Sequence, residues 1–142
     1  MNTLAEIIKM NSGYKIILIV EDDISMRELL NVVLKNQYEV FLAEDGETAL
    51  KILKEENGIR LILLDIVLPG INGLEVLKKI KEMPIEVGVI MMSIVKEVET
   101  VVEAMKLGAM DYITKEFDYD CFLKMIGKAF DEIEKKRMPE LF

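Results

Sequence analysis

The strongest constraint on the fold is the regular alternation of short apolar runs with longer amphipathic stretches. Stretches with helical spacing occupy residues 25–36, 46–57, 73–82, 97–108 and 119–136. Five runs rich in Ile, Val and Leu are predicted to be buried strands: KIILIV (15–20), EVFLA (39–43), RLILL (60–64), VGVIMM (87–92) and DYIT (111–114). Strands that are apolar on both faces and alternate with helices indicate an α/β domain. Its five-stranded parallel sheet should be doubly wound, with its five helices on both faces.

Each predicted helix has an apolar face that should turn toward the sheet. Asp23 and Asp118 are the expected N-caps of the first and last helices, because a carboxylate can accept hydrogen bonds from the free backbone N–H groups there. The residues expected to face inward are Met26, Leu29, Leu30 and Val33; Ala49, Leu50 and Leu53; Leu74, Leu77 and Ile80; Val101, Val102, Met105 and Leu107; and Phe122, Met125, Ile126, Phe130 and Ile133.

The composition excludes several classes of function. The net charge of −8 would repel nucleic acids and anionic membranes, so neither is expected as a direct partner. The chain has one cysteine and no histidine, which rules out cysteine–histidine zinc sites and histidine-dependent catalytic triads. A single thiol fits a reducing compartment, and we see no membrane span or signal peptide, so we expect a cytoplasmic protein.

Polar side chains gather where the predicted strands end. Because the carboxyl ends of parallel strands share one edge of a sheet, these groups should lie close together. They are Glu21, Asp22 and Asp23 after the first strand, Asp65 after the third, Ser93 after the fourth and Lys115 after the fifth. Each is unremarkable alone, since an aspartate after a strand is commonly a turn residue. Together they indicate a functional site.

Clustered carboxylates repel one another unless a cation is present, and their oxygens suit Mg²⁺. Bound Mg²⁺ would in turn favour a phosphoryl group, whose other oxygens Lys115 and Ser93 are placed to hold. Asp65 is then a candidate phosphoryl acceptor, because a carboxylate can act as a nucleophile.

From Tyr14 to Lys136 the chain resembles the receiver domain of two-component response regulators. The motifs are ILIVEDD, LILLDIVLPGINGLEVL, VIMMS and VEAMKLGAMDYITKEF. The resemblance implies a flavodoxin-like strand order, 2-1-3-4-5. It also divides the chain into an N-terminal extension (1–13), a receiver domain (14–137) and a C-terminal tail (138–142).

The resemblance also implies a role for each site residue. Asp65 would accept the phosphoryl group, and Ser93 and Lys115 would contact it. Glu21, Asp22, Asp65 and the backbone carbonyl of Val67 would hold Mg²⁺ or Mn²⁺. Tyr112 would be an aromatic switch that turns inward together with Ser93. Such a domain catalyses only its own phosphorylation and dephosphorylation.

The partners implied by the resemblance are proteins. A sensor histidine kinase or a phosphotransfer protein would supply the phosphoryl group. A downstream protein or an output domain would read the face formed by the fourth helix, the fifth strand and the fifth helix. A homodimer through that same face is a further expectation.

Several residues depart from the usual pattern of the family or occupy positions that vary within it. Glu116 follows Lys115 where proline is usual, so a trans bond is expected, with negative charge near the lysine. Ile94 stands where a small residue is usual and would narrow access to the site. Val67 and Val95 cannot orient an attacking water molecule. We therefore expect a slowly hydrolysing phosphoaspartate.

Other classes of function are weighed against this one. A flavodoxin-type electron carrier needs a phosphate loop after the first strand, and the acidic EDDIS would repel the flavin phosphate. A haloacid-dehalogenase-type phosphatase needs a second aspartate where Val67 stands. Ile94 and Glu116 leave open a degenerate receiver, which would bind partners without being phosphorylated.

Overall fold

Strands and helices alternate along the whole described part of the chain. The computed structural model describes residues 3–4 and 15–137. The elements are β1 (Ile16–Val20), α1 (Ile24–Leu34), β2 (Glu39–Ala43), α2 (Gly46–Glu55), β3 (Ile59–Leu64), α3 (Gly73–Glu82), β4 (Gly88–Ser93), α4 (Val98–Lys106), β5 (Asp111–Thr114) and α5 (Tyr119–Arg137). Each predicted boundary lies within about two residues of the observed one, as is usual for helix ends.

The five strands form one sheet in the order β2-β1-β3-β4-β5. Every neighbouring pair is parallel. The predicted fold class and strand order are therefore confirmed. β2 lies on one side of β1, and β3 lies on the other side, so the direction in which strands are added to the sheet reverses after β2. Ligands of such sheets bind at this reversal, outside the carboxyl ends of β1 and β3.

Alternate residues of each strand belong to two separate cores, one on each face of the sheet. Ile16, Leu18 and Val20 pack in the core that α2, α3 and α4 cover. Ile17 and Ile19 pack in the core that α1 and α5 cover. Because side chains alternate along a strand, continuous apolar runs are needed to fill both cores.

The apolar faces of α1 and α4 differ from the prediction. Leu29 is 37% exposed, while Leu34 is fully buried on α1. On α4, Val102 and Met105 are each 43% exposed, and Ala104 is the buried residue. The prediction was wrong for Leu29, Val102 and Met105. Periodicity shows which residues share a face, but the packing of the helix against the sheet decides which of them are buried.

Two sequence expectations lie mostly outside the described residues. Of the predicted extension, only Thr3 and Leu4 are described, and the predicted tail (138–142) is not described. Among the helices that the structure describes, none combines the length and the apolar character needed to cross a lipid bilayer.

Candidate functional site

The site lies at the carboxyl edge of the sheet, where four polar residues end or follow four strands. The amide of Asp65 donates to the carbonyl of Val20 (3.2 Å), which holds the start of the β3–α3 loop against β1. The amide of Lys115 donates to the carbonyl of Ser93 (3.1 Å), so β5 is tied to β4 in the same way. Glu21 is anchored by its amide to the carbonyl of Ala43 (3.0 Å). Backbone pairing therefore brings these residues together, as the parallel sheet predicted.

Lys115 joins two buried carboxylates. Its Nζ lies 2.6 Å from Oε1 of Glu21 and 2.7 Å from Oδ2 of Asp65. The exposed fraction of the side chain is 14% for Lys115, 3% for Glu21 and 4% for Asp65. Such short charge-assisted hydrogen bonds are strong in a buried site. The ammonium stabilises two negative charges that would otherwise repel each other.

The pKa values of Glu21 and Lys115 are both raised in this arrangement. Burial raises the pKa of Glu21; the hydrogen bond from Lys115 opposes the shift and the charge of Asp65 adds to it. Burial alone would lower the pKa of Lys115, but hydrogen bonds and charges from Asp65 and Glu21 outweigh it and raise that pKa. Lys115 is therefore a permanent cation at physiological pH.

The second oxygen of Asp65 is fixed by the loop that follows it. Oδ1 accepts a hydrogen bond from the amide of Val67 (3.1 Å). A Cβ at Gly73 would lie 2.0 Å from the carbonyl oxygen of Asp65, so only glycine lets α3 begin this close to the site. Asn72 caps α3 by accepting from the amide of Glu75 (3.0 Å), and Gly70 has φ +76° in the preceding turn. Three residues of the PGING sequence after the strand, Gly70, Asn72 and Gly73, therefore have a structural role.

Three carboxylates converge at this edge. Oxygens of Glu21, Asp22 and Asp65 all lie within 4.8 Å of one another. Glu21 and Asp65 are buried, whereas Asp22 is exposed. Hard oxygen ligands at this spacing suit a divalent cation such as Mg²⁺ or Mn²⁺. The donor set therefore fits the metal that the sequence predicted.

Helix α1 contains a residue, Arg27, that contacts the β1–α1 loop and that the sequence analysis missed. Nη1 of Arg27 donates to the carbonyl oxygens of Glu21 (2.8 Å) and Asp22 (3.3 Å). Asp23 caps α1 as predicted, by accepting from the amide of Met26 (2.9 Å), and its own amide donates to Oε2 of Glu21 (3.1 Å). A lone arginine on an amphipathic helix gives no sequence signal of such a contact.

Ser93 and Tyr112 are linked through the β4–α4 loop. Ser93 is fully buried, and its Oγ accepts from the amide of Val95 (3.3 Å). The hydroxyl of Tyr112 donates to the carbonyl of the same Val95 (2.7 Å). Burial raises the pKa of Tyr112. The tyrosine therefore lies inward against the loop that begins at Ser93.

The residues that depart from the family pattern, and Val67 at a variable position, have exposed side chains. The carboxylate of Glu116 contacts Nζ of Lys96 (3.3 Å), in an exposed ion pair that joins two loops at the rim. All peptide bonds of the described residues are trans, as expected for Lys115–Glu116. The side chains of Ile94 and Val67 are 67% and 53% exposed.

The doubly wound sheet carries clustered carboxylates, a largely buried lysine and a buried hydroxyl at its switch point, the arrangement that the sequence resemblance to signalling receiver domains implied. Residues 17–127 match the sequence-family model for the response regulator receiver domain. The chain belongs to this family. Receiver domains are regulatory, and the comparisons with individual proteins agree with this assignment.

Two curated relatives are similar to this chain over most of its length. The chain is 40% identical over 105 residues to sporulation initiation phosphotransferase F of Bacillus subtilis, covering 73% of this chain and 84% of that protein. It is 38% identical over 114 residues to the transcriptional regulatory protein ZraR of Escherichia coli. That match covers 80% of this chain but spans only 26% of ZraR.

Solved structures support the same assignment. A CheY-like response regulator receiver domain protein from Methanospirillum hungatei has a TM-score of 0.82 at 31% identity. The alignment covers 87% of this chain and 98% of that one. The receiver domain of NtrX from Brucella abortus has a TM-score of 0.75 at 34% identity, with 81% and 98% of the two chains covered.

Proposed function

We propose that this chain is a phosphoacceptor, in which Asp65 receives a phosphoryl group from a histidine kinase or from a phosphotransfer protein. The observation that carries the proposal is the contact of Lys115 with both Glu21 and Asp65. A lysine between two buried carboxylates, beside an exposed third one, gives a site with one cation already placed. Such a site can accept additional negative charge on Asp65.

The chemistry is a single phosphoryl transfer. A carboxylate oxygen of Asp65 attacks phosphorus, and a new P–O bond forms as the P–N bond of the donor's phosphohistidine breaks. The electron pair of that bond stays on the imidazole, which takes a proton from solvent. Little covalent chemistry is asked of the protein, so positioning and charge stabilisation supply most of the catalysis.

The residues around Asp65 stabilise the charge that develops on the phosphoryl oxygens. Lys115 donates to an oxygen of Asp65 and would lie beside a phosphoryl group formed there. The hydroxyl of Ser93 is at the end of the neighbouring strand and would turn toward that group. Glu21, Asp22, Asp65 and the carbonyl of Val67 would hold Mg²⁺, which supplies positive charge to the phosphoryl oxygens when bound.

The same residues would connect phosphorylation to a change at the surface. If Ser93 turns toward the phosphoryl group, its hydroxyl leaves the amide of Val95, and the β4–α4 loop must adjust. Tyr112 is hydrogen-bonded to that loop through the carbonyl of Val95. The resulting two-state element would include the loop, α4 and β5.

Partners would bind the face that includes α4, β5 and α5. Val98, Val102 and Met105 follow one side of α4 and are 73%, 43% and 43% exposed. An exposed apolar stripe of this kind is typical of protein–protein contacts. The partner would be a downstream protein, an output domain or a second copy of the chain, and the domain would act in the cytoplasm. Neither nucleic acid nor membrane is expected as a direct partner of this acidic domain.

The alternative, a degenerate receiver, is not favoured by this geometry. The carboxylates, the lysine and the hydroxyl are all at one edge, and Glu116 contacts Lys96 instead of competing for Lys115. The only chemistry proposed for the chain is therefore its own phosphorylation and dephosphorylation.

The test is incorporation of labelled phosphate from acetyl phosphate. We expect up to one phosphoryl group per chain with Mg²⁺ and none with EDTA. Asp65→Asn should abolish incorporation, whereas Asp111→Asn, which removes an exposed carboxylate at the start of β5, should not. No incorporation into the wild-type chain, or equal incorporation into Asp65→Asn, would show that Asp65 is not the acceptor.

A further inference from the structure

We propose that Arg27 is a positioning residue that holds the β1–α1 loop in the conformation that presents Asp22 to the metal. The inference rests on the proposed function, because it concerns the metal site of the same reaction. Arg27 lies in the first turns of α1, and its guanidinium reaches back over the loop that precedes the helix.

The contacts of Arg27 are with the backbone of the loop. Nη1 lies 2.8 Å from the carbonyl oxygen of Glu21 and 3.3 Å from that of Asp22. Both acceptors are peptide carbonyls, so the contact fixes where the chain runs without neutralising a carboxylate. Because one nitrogen holds the carbonyls of both Glu21 and Asp22, the backbone is fixed on both sides of the Asp22 Cα.

Of the three acidic residues that follow β1, Glu21, Asp22 and Asp23, Asp22 is held by the fewest other contacts. Glu21 is held by its amide on Ala43 and by its side chain on Lys115. Asp23 is held by its amide on Glu21 and by its carboxylate at the start of α1. Asp22 lies between them with an exposed side chain, and Arg27 holds its carbonyl. Losing Arg27 would therefore loosen the exposed metal ligand more than its buried neighbours.

Arg27 would have two opposite effects on the affinity for Mg²⁺. Its positive charge repels a divalent cation, so charge alone predicts that removing Arg27 strengthens Mg²⁺ binding. Its hydrogen bonds organise the ligands, so positioning predicts that removing Arg27 weakens binding. Lysine keeps the charge but lacks the rigid fork of guanidinium N–H groups.

The experiment measures the Kd of Mg²⁺ by isothermal titration calorimetry on the full chain, without any phosphoryl donor. The variants are Arg27→Gln and Arg27→Lys, with Lys35→Gln as the matched control, which removes one positive charge at the C-terminal end of α1. We expect Arg27→Gln to weaken binding by about tenfold, as outer residues of metal sites commonly do. Arg27→Lys should weaken it in the same direction, and Lys35→Gln should leave the Kd unchanged.

Thermal unfolding of each variant establishes that it is folded at the temperature of the titration. If Arg27→Gln does not fold, the lysine variant decides, since it keeps the charge and most of the side-chain volume. A Kd that is unchanged or tighter in both folded variants would overturn the positioning role while leaving the phosphoacceptor function intact. Failure of the wild-type chain to bind Mg²⁺ would overturn both.

Discussion

Nζ of Lys115 lies 2.7 Å from Oδ2 of Asp65, across the carboxyl ends of strands that are not neighbours in the sheet. The same ammonium contacts Glu21 at 2.6 Å, so one cation compensates two buried anions. This relationship links the stability of the domain to its proposed chemistry, because the proposed phosphoryl acceptor, Asp65, shares its neutralising cation with Glu21.

Replacing Lys115 with methionine leaves Glu21 and Asp65 buried without their cation. We expect the free energy of unfolding to fall by about 3–5 kcal/mol, as when one partner of a buried ion pair is removed. Added Mg²⁺ should restore part of this loss, because a divalent cation can take over the neutralisation. Urea unfolding with EDTA and with Mg²⁺ measures both effects.

The matched control is Lys96→Met, which removes the lysine of an exposed ion pair with Glu116. Exposed pairs contribute about 0–1 kcal/mol, so this variant should be nearly as stable as the wild-type chain. If the two methionine variants lost equal stability, the buried contact would not be the stabilising one.

Tyr112→Phe removes the hydroxyl that donates to Val95 at 2.7 Å. We expect the backbone amides of the β4–α4 loop to exchange hydrogen faster, since a lost neutral hydrogen bond costs about 1 kcal/mol. Incorporation of phosphate at Asp65 should be unchanged, because the ring is outside the reacting groups. Hydrogen exchange followed by mass spectrometry gives the first quantity and phosphate labelling the second.

Tyr119→Phe serves as its control, since that side chain is 48% exposed and packs edge-on against Phe117. Equal exchange rates in the loop of all three proteins would argue against Tyr112 as a restraint on that loop.

Val67 is expected to prolong the phosphorylated state. The amide of Val67 donates to Oδ1 of Asp65, and its side chain is 53% exposed. That apolar side chain cannot hold a water molecule in line for attack on the phosphorus. Val67→Asn supplies an amide that can do so, and we expect labelled phosphate to be lost severalfold faster in the presence of Mg²⁺. Val32→Asn, at an equally exposed valine of α1 (54%), should not change the rate. Loss of the label from the wild-type chain within seconds would contradict the expectation of a slowly hydrolysing phosphoaspartate.

Asp45 makes the stability of α2 depend on pH. Hydrogen bonds from the side chain and the backbone amide of Thr48 lower the pKa of Asp45 from its ordinary value of 3.8. A lowered folded-state pKa means that the unfolded chain binds the proton more readily, so the stabilisation is present above that ordinary value and is lost as the pH falls below it. Asp45→Asn keeps a capping oxygen that does not titrate.

The wild-type chain should therefore exceed Asp45→Asn in stability at about pH 6, and the difference should shrink by about pH 3. Urea unfolding at both values measures it, with Glu55→Gln as the control for a charge change at the other end of α2. A difference that is the same at both values would mean that the cap does not carry the pH dependence.

Much of this fold was predictable because it is specified by local patterns. Continuous apolar runs predicted a sheet covered on both faces, and the parallel order then placed Asp65, Ser93 and Lys115 at one edge. Asp23 and Asp118 were recognisable as caps, and both accept hydrogen bonds from the first turn of their helices.

The remaining features depend on contacts that periodicity does not encode. On α4, Ala104 is fully buried where Val102 was expected to be, because the packing of the helix against the sheet decides which residues are buried. Arg27 was missed because its acceptors are backbone carbonyls, which every sequence has. The partner of Glu116 is Lys96 and not the adjacent Lys115, since two loops distant in sequence meet at the rim.

Locating the acyl phosphate in the sequence tests most directly whether Asp65 is the acceptor. The chain would be phosphorylated with acetyl phosphate and Mg²⁺, reduced with borohydride, digested and sequenced by mass spectrometry. Because borohydride converts an aspartyl phosphate to homoserine, we predict homoserine in place of Asp65 and unmodified Asp22 and Glu21. Reduction at another carboxylate, or at none in a folded chain that binds Mg²⁺, would contradict the assignment of Asp65 as the phosphoryl acceptor.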